Sequence, residues 1–293
     1  MRGITILHED PDVIVIEKAA GILSCATRRD GEAYSVESAL SDYVRKGQTK
    51  SRKRVYLVHR LDRETSGVMM VAKTPEVQEH FRANWNELTE KTYLARVHGH
   101  LEKKEGVFES YLAENPKTFM VHSVKKPAEG KLARTLYRVL SEDRATSLME
   151  VQLKSGRKNQ IRVHFAEAGH AVVGDARYGH DRGSLLLHAW RLAFVHPHSG
   201  QRLVFETALP RFCQLPNPPI PQSSNLPILH SSNHHKERKK NEANNLHDVR
   251  VRRLDGVRGD GTRIHLAGRQ DAGRPAAPDR RDDGRGEGAR LQG

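Results

Sequence analysis

Residues 1–216 break into short apolar runs of two kinds. Some are continuous and rich in β-branched residues. Others recur at the three-to-four spacing of a helix face. Val13-Ile14-Val15-Ile16 is a run of the first kind, ending at Lys18, where Ala-Gly turns the chain. Ser35 is placed to cap a helix through about Lys46, with Val36, Ala39, Leu40 and Tyr43 along one face. Gly67–Ala72 is apolar throughout, as in a strand buried on both faces. Thr74-Pro75 then opens a helix with proline at its first position. Thr92–Val97, Ala133–Leu140, Ser147–Leu153, Ala189–Val195 and Arg202–Thr207 read as strands. Asn159 is a suitable cap for a helix through Ala168, which Gly169 ends. Many strands, few short helices and no regular β-α-β alternation predict an α+β fold around an extended sheet.

The pattern stops near residue 216. All two Trp, seven Tyr and seven Phe lie at or before Phe212, and LPNPPIPQSSNLP forms a proline- and serine-rich boundary. Beyond it the chain lacks the apolar area to offset the entropy of ordering. Residues 1–216 are therefore expected to form one domain and 217–293 a largely disordered basic tail. No apolar run is long enough to span a bilayer, and acidic residues interrupt the N-terminus where a secretory signal keeps an apolar core. Two cysteines cannot build a disulfide framework, so a cytoplasmic setting is expected. Lys and Arg total 49 against 36 Asp and Glu, a net charge of +13 that attracts phosphate-rich partners. The basic excess is present in the first 216 residues as well as in the tail.

One segment stands out chemically: Val58-His59-Arg60-Leu61-Asp62-Arg63-Glu64-Thr65-Ser66-Gly67, directly before an apolar strand. Arginines on either side of Asp62 favour its ionised form, and an ionised carboxylate in a polar loop can act as a nucleophile. A surface ion-pair cluster has the same composition, and the residues alone leave both readings open.

His-Arg-Leu-Asp-x-x-Thr-Ser-Gly resembles the signature of the RluA-type RNA pseudouridine synthases, and five further blocks follow the family's order. Glu17-Lys18-Ala19-Ala20-Gly21 resembles its early Lys-Pro-Ala-Gly turn, and Lys91-Thr92-Tyr93-Leu94-Ala95 its Lys-x-Tyr-x-Ala strand. Ser155-Gly156-Arg157-Lys158-Asn159-Gln160-Ile161-Arg162-Val163-His164 resembles Thr-Gly-Arg-x-His-Gln-Ile-Arg-Val-His. Gly169-His170 through Gly174-Asp175 and Tyr178-Gly179, then Leu187-His188-Ala189 with His196-Pro197, resemble the closing blocks.

The resemblance implies a mixed, mainly antiparallel sheet with flanking helices and loops around a central catalytic cleft, and an enzyme that isomerises uridine in ribosomal or transfer RNA. Asp62 would be the catalytic aspartate. Tyr93 would stack on the flipped base near the C5 proton, and Arg162 would pair with Asp62. Arg60 would fill the gap left in the RNA stack, and His59, Thr65, Gly67, Arg157 and Gln160 would help bind the substrate. The reaction is redox-neutral, and the chain has no glycine-rich phosphate loop or dinucleotide fingerprint, so no cofactor and no metal are expected. A monomer is expected. The blocks begin almost at the first residue, so RNA binding is expected from the domain itself, with the tail as a further candidate; the basic stretch at 48–54 reads equally as an RNA contact or a solvated face. Three departures bear on these expectations. Ala19 stands where proline is usual and should loosen one turn, Ser155 replaces threonine, and Asn159 replaces histidine. The rival reading is a non-catalytic RNA-binding protein that retains the fold.

Overall fold

A computed structural model describes residues 1–26, 33–48, 50–214 and the backbone of 252–253. The elements run β1 (Ile4–Glu9), β2 (Val13–Lys18), α1 (Val36–Arg45), β3 (Tyr56–Leu57), β4 (Ser66–Ala72), α2 (Pro75–Leu88), β5 (Thr89–His98) and β6 (Glu105–Glu114). They continue with β7 (Val121–Val124), β8 (Lys131–Glu142), β9 (Thr146–Leu153), α3 (Gln160–Glu167), β10 (Leu187–Val195), β11 (Arg202–Glu206) and β12 (Arg252–Arg253). One sheet joins the strands in the order β1-β2-β4-β10-β5-β9-β8-β6-β7. Strand β3 pairs with β4, and β11 with β10 and β12. Among these ladders only β4–β10 is parallel, so the sheet is mixed and mainly antiparallel, as expected. The expectation of a disordered tail falls on positions outside the described residues, apart from the backbone of Arg252–Arg253.

The continuous apolar runs of β2 and β4 are explained by burial on both faces. Ile14, Ile16, Met69 and Val71 pack with Val36 and Leu40 of α1 and Phe165 of α3. Val13, Val15, Val68 and Met70 face the other way, onto Val77 and Phe81 of α2 and Phe194 and Phe205. Side chains that alternate faces need apolar residues at every position when both faces are covered. Ser35 caps α1 by accepting from the Ser38 N–H, and Thr74 caps α2 by accepting from the Val77 N–H.

Four local expectations change. Tyr43 is exposed on α1, its hydroxyl donating to Glu9 Oε2 at 2.9 Å, and Ser41 is buried instead. Ala19 does not loosen its turn: its backbone N–H, which proline lacks, donates to Gly3 O at 2.8 Å. Asn159 precedes α3 but does not cap it; its backbone is left-handed, at φ 53°, and its side chain turns elsewhere. Strands β1, β6 and β7 were not read from the sequence; most positions of β6 are half-exposed or exposed and give a weak apolar signal.

Two features of the sheet build the site. Gly67 pairs with Ala189 across β4–β10 at φ 117°, and a Cβ there would lie 2.1 Å from Ala189 O. Only glycine lets the strands approach so closely. Ala189 also pairs with Tyr93 on β5, and the β10–β5 register shifts by one residue immediately afterwards. Together these set the loop before β4 beside the middle of β5.

Candidate active site

Asp62 lies in the loop that enters β4, and backbone contacts hold this loop tightly. Lys18 is fully buried at the end of β2, and its ammonium donates to Ile22 O at 2.9 Å, Ala19 O at 3.1 Å and Arg63 O at 3.2 Å. Ser24 Oγ accepts from the Leu61 N–H at 3.0 Å and donates to Leu61 O at 2.7 Å. The Gly21 N–H donates to Arg63 O at 2.7 Å. The early turn and the Asp62 loop are thus one hydrogen-bonded unit. Lys18 was quoted above only as part of a motif. A lysine closing a β-branched run was the available signal for its role.

A small open cleft of about 70 Å³ is lined by Asp62, Tyr93, Arg162, Arg60, Thr65 and Arg157, among others. The Asp62 side chain is 27 % exposed, which opens it to the cleft, whereas that of Arg162 is 7 % exposed. The closest approach of the two is 3.5 Å, from Arg162 Nη1 to Asp62 Oδ2. The guanidinium is held mainly by another group. Asp175, with no exposed surface, takes Arg162 Nε at 2.7 Å and Nη2 at 2.8 Å in a two-pronged pair. Asp175 also accepts from the backbone N–H groups of Arg177 and Tyr178 at 2.9 and 3.0 Å. Such a buried pair is stable only when its remaining lone pairs are also satisfied, as here.

Asn159 completes the Asp62 environment. In the amide orientation that satisfies both ends, its nitrogen donates to Asp62 Oδ2 at 2.8 Å and Oδ1 at 3.2 Å, while its oxygen accepts from the Tyr178 hydroxyl at 3.0 Å. Burial pushes the Asp62 carboxyl above its usual 3.8; Arg162 opposes this strongly and Arg60 weakly, while Glu64 adds to it. The flanking arginines therefore contribute less to ionisation than the sequence suggested, and Arg63 spends its Nε on Gly21 O. For Asp175, burial also pushes upward, but the Arg162 bonds and charge outweigh it and hold the carboxyl below 3.8. Tyr93 is buried against the cleft, and burial followed by the Asp62 charge raises its hydroxyl, so it keeps its proton at neutral pH.

A family model described as RNA pseudouridylate synthase matches residues 12–167. The ribosomal large subunit pseudouridine synthase D of Nitrosomonas europaea is 36% identical over 220 residues, which is 70% of this chain. The chain spans 62% of that relative's length. The dual-specificity RNA pseudouridine synthase RluA of Yersinia pestis is 31% identical over 212 residues, 69% of this chain and 97% of the relative. This chain belongs to the RNA pseudouridylate synthase family. The solved structure titled human RNA pseudouridylate synthase domain containing 4 shares its fold, with a TM-score of 0.55, 26% identity, and coverage of 71% of this chain and 89% of that one. The RluA-type resemblance and the fold it implied are borne out.

Within the pseudouridylate synthase fold, the expected substrate-binding residues divide. Thr65 lines the cleft, is buried, and its Oγ1 has no hydrogen-bond partner among the described residues. Arg157 lines the cleft and a second cavity beside it, its Nε donating to Leu132 O at 3.0 Å. Gln160 borders the cleft, but its amide is fully used inside the protein. It accepts from Ser155 Oγ at 2.8 Å and the Arg157 N–H at 3.0 Å, and donates to Thr135 Oγ1 at 2.8 Å and Arg134 O at 3.1 Å. It braces the loop before α3. Gly67 acts through its missing side chain. His59 is turned away from the cleft: its ring stacks on Trp85 at 4.7 Å and its Nε2 accepts from the Met70 N–H at 3.0 Å. Burial lowers its pKa to about 3, so the ring is neutral.

The residues that sequence reasoning missed are Asp175, Tyr178 and Asn159 in its contact with Asp62. The first two sat inside a quoted block without a role. At the opposite end of the sheet, Asp10, Asp12 and His196 place potential metal-ligating atoms within 4.8 Å of one another. There the Ser199 N–H occupies His196 Nδ1 at 3.2 Å, which leaves the ring proton on Nε2. That nitrogen lies 3.2 Å from Asp10 Oδ2 and 3.5 Å from Asp12 Oδ2. With its proton shared between the carboxylates, His196 joins the β1–β2 and β10–β11 turns as a latch.

Proposed function

We propose that this chain isomerises uridine in RNA to pseudouridine, with Asp62 as the nucleophile and the target base flipped into the cleft. The observation that carries this reading is an ionisable carboxylate, open to a cleft, between a buried guanidinium and a protonated tyrosine. The Asp62 carboxylate attacks the target nucleoside, the bond between ribose C1′ and uracil N1 breaks, and the base turns. A bond from C5 to C1′ then forms, the C5 proton leaves, N1 gains a proton and Asp62 is returned as a carboxylate. Nothing is oxidised or reduced. The ring of Tyr93 offers a stacking face for any base. Arg60, exposed at the rim, takes the gap left in the RNA stack, whose opening costs a few kcal/mol.

The net charge of +13 suits a polyanionic substrate. One relative is named for the large ribosomal subunit. Ribosomal RNA is therefore the first substrate to test and transfer RNA the second. The experiment is tritium release from [5-³H]uridine in unmodified ribosomal and transfer RNA transcripts, comparing wild type with Asp62→Ala. Release by the wild type alone is expected. Equal release by Asp62→Ala would remove Asp62 as nucleophile. RNA binding with no release by either protein would favour the non-catalytic reading.

A further inference from the structure

The Asp62 carboxylate has an incomplete set of strong partners. Arg162 reaches it only at 3.5 Å, because Asp175 holds the other two guanidinium nitrogens. Lys18 of β2, which bears on Asp62 through its charge, spends its ammonium on three backbone carbonyls. Glu64 and Arg60, on its own loop, act with opposite signs, and Tyr93 of β5 holds its proton. The closest donor is the neutral amide of Asn159, at 2.8 and 3.2 Å from the two carboxylate oxygens.

The direction of that amide is fixed from behind. The Tyr178 hydroxyl accepts from the Val121 N–H at 3.1 Å, which leaves its own proton free to be donated to the Asn159 oxygen. A reversed amide would set its oxygen against both Asp62 oxygens. Tyr178 is anchored in turn, with its N–H on Asp175 and its ring 5.3 Å from the Arg162 guanidinium. Asn159 meanwhile adopts a left-handed backbone and gives up the capping bond that an asparagine before a helix normally makes. Its place in the network explains why that bond is surrendered.

We infer that Asn159, oriented by Tyr178, is a positioning residue that fixes the direction and the charge of the Asp62 carboxylate. The first readout is independent of catalysis, and only the second rests on the function proposed above. In the full-length protein, the carboxyl carbon of ¹³C-labelled aspartate is followed by NMR against pH, with the Asp62 signal assigned by Asp62→Asn. Asn159→Leu keeps the volume and removes the donor, so the Asp62 midpoint should rise by about one pH unit, a tenfold change in ionisation. Tyr178→Phe removes one hydroxyl and should move the midpoint the same way by less. Asn159→His restores a ring N–H donor and should return the midpoint most of the way. The acidic limb of kcat/KM for tritium release should move with the midpoint in each variant.

An unmoved midpoint in folded Asn159→Leu would overturn the inference. Should that variant fail to fold, an unmoved midpoint in Tyr178→Phe would do the same. A shifted midpoint in a protein whose wild type releases no tritium would leave the inference standing and defeat the proposed reaction instead.

Discussion

The two ends of the sheet each bring two carboxylates together with nitrogen donors, and they treat the carboxylates differently. At the β1–β2 turn, Asp10 accepts from His8 at 2.8 Å and, through its other oxygen, from the N–H groups of Asp12 and Val13 at 2.8 Å each. Asp12 accepts from His198 at 2.5 Å, and His196 lies between the pair. There Asp10 has partners on both oxygens. At the cleft only Asp175 is saturated, while Asp62 keeps a weaker set of partners and faces open space. A carboxylate held by strong bonds on all sides stabilises a fold. One that is oriented but left partly unsatisfied retains free energy for chemistry, and its carboxyl is raised rather than lowered.

The largest test of this contrast is activity. Asp62→Asn should lower tritium release by at least about 10³-fold, whereas Asp10→Asn should leave it unchanged. Loss of activity in both would dissolve the distinction. Stability should reverse the ranking at the cleft itself. Asp175→Ala leaves the Arg162 charge buried without its main partner and should cost about 3–5 kcal/mol in urea unfolding. Asp62→Asn should instead melt slightly above wild type at neutral pH, because ionising a raised carboxyl costs folding free energy.

Acid should act at both ends in one direction. The carboxyls of Asp175 and Asp10 are held below 3.8, so their contributions are present above that pH and vanish as the pH falls through the lowered folded values. Unfolding monitored by circular dichroism between pH 6 and 2 should show this loss, and Asp175→Ala should flatten it. The smallest effect belongs to the latch. His196→Ala should cost roughly 1–2 kcal/mol and leave tritium release intact. A severe loss of activity there would mean that the far turns govern the cleft.

The histidines show why some parts of the site were legible and others were not. His59 and His188 both sit in motifs around Gly67. The His59 ring lies on Trp85, while His188 lies between Ser66 Oγ at 2.8 Å and Thr207 Oγ1 at 2.6 Å. Neighbourhood in sequence to Asp62 did not place His59 in the cleft, because strand entry turned its side chain to the α2 side. The strands and helices were readable wherever burial was uniform along an element, as in β2 and β4. They were less readable in β6, where the sheet edge leaves positions half-exposed. The Arg162–Asp175 pair was not readable, since the motifs place Arg162 beside Asp62 and only the fold brings Asp175 against its guanidinium.

The sequence by itself determined the α+β class, the order of the main elements and their caps at Ser35 and Thr74, because propensity, periodicity and capping act within a few residues. It also marked Asp62, Tyr93 and Arg162, since three of the six ordered motifs carry them. Tertiary structure alone decided which acid holds Arg162, that Asn159 meets Asp62 rather than capping its helix, and that Lys18 anchors the Asp62 loop. Two of those contacts, Asn159 with Asp62 and Lys18 with Arg63, join residues far apart in the chain. They depend on strand register, on the close approach of β4 and β10 at Gly67, and on burial that makes an unsatisfied polar group costly.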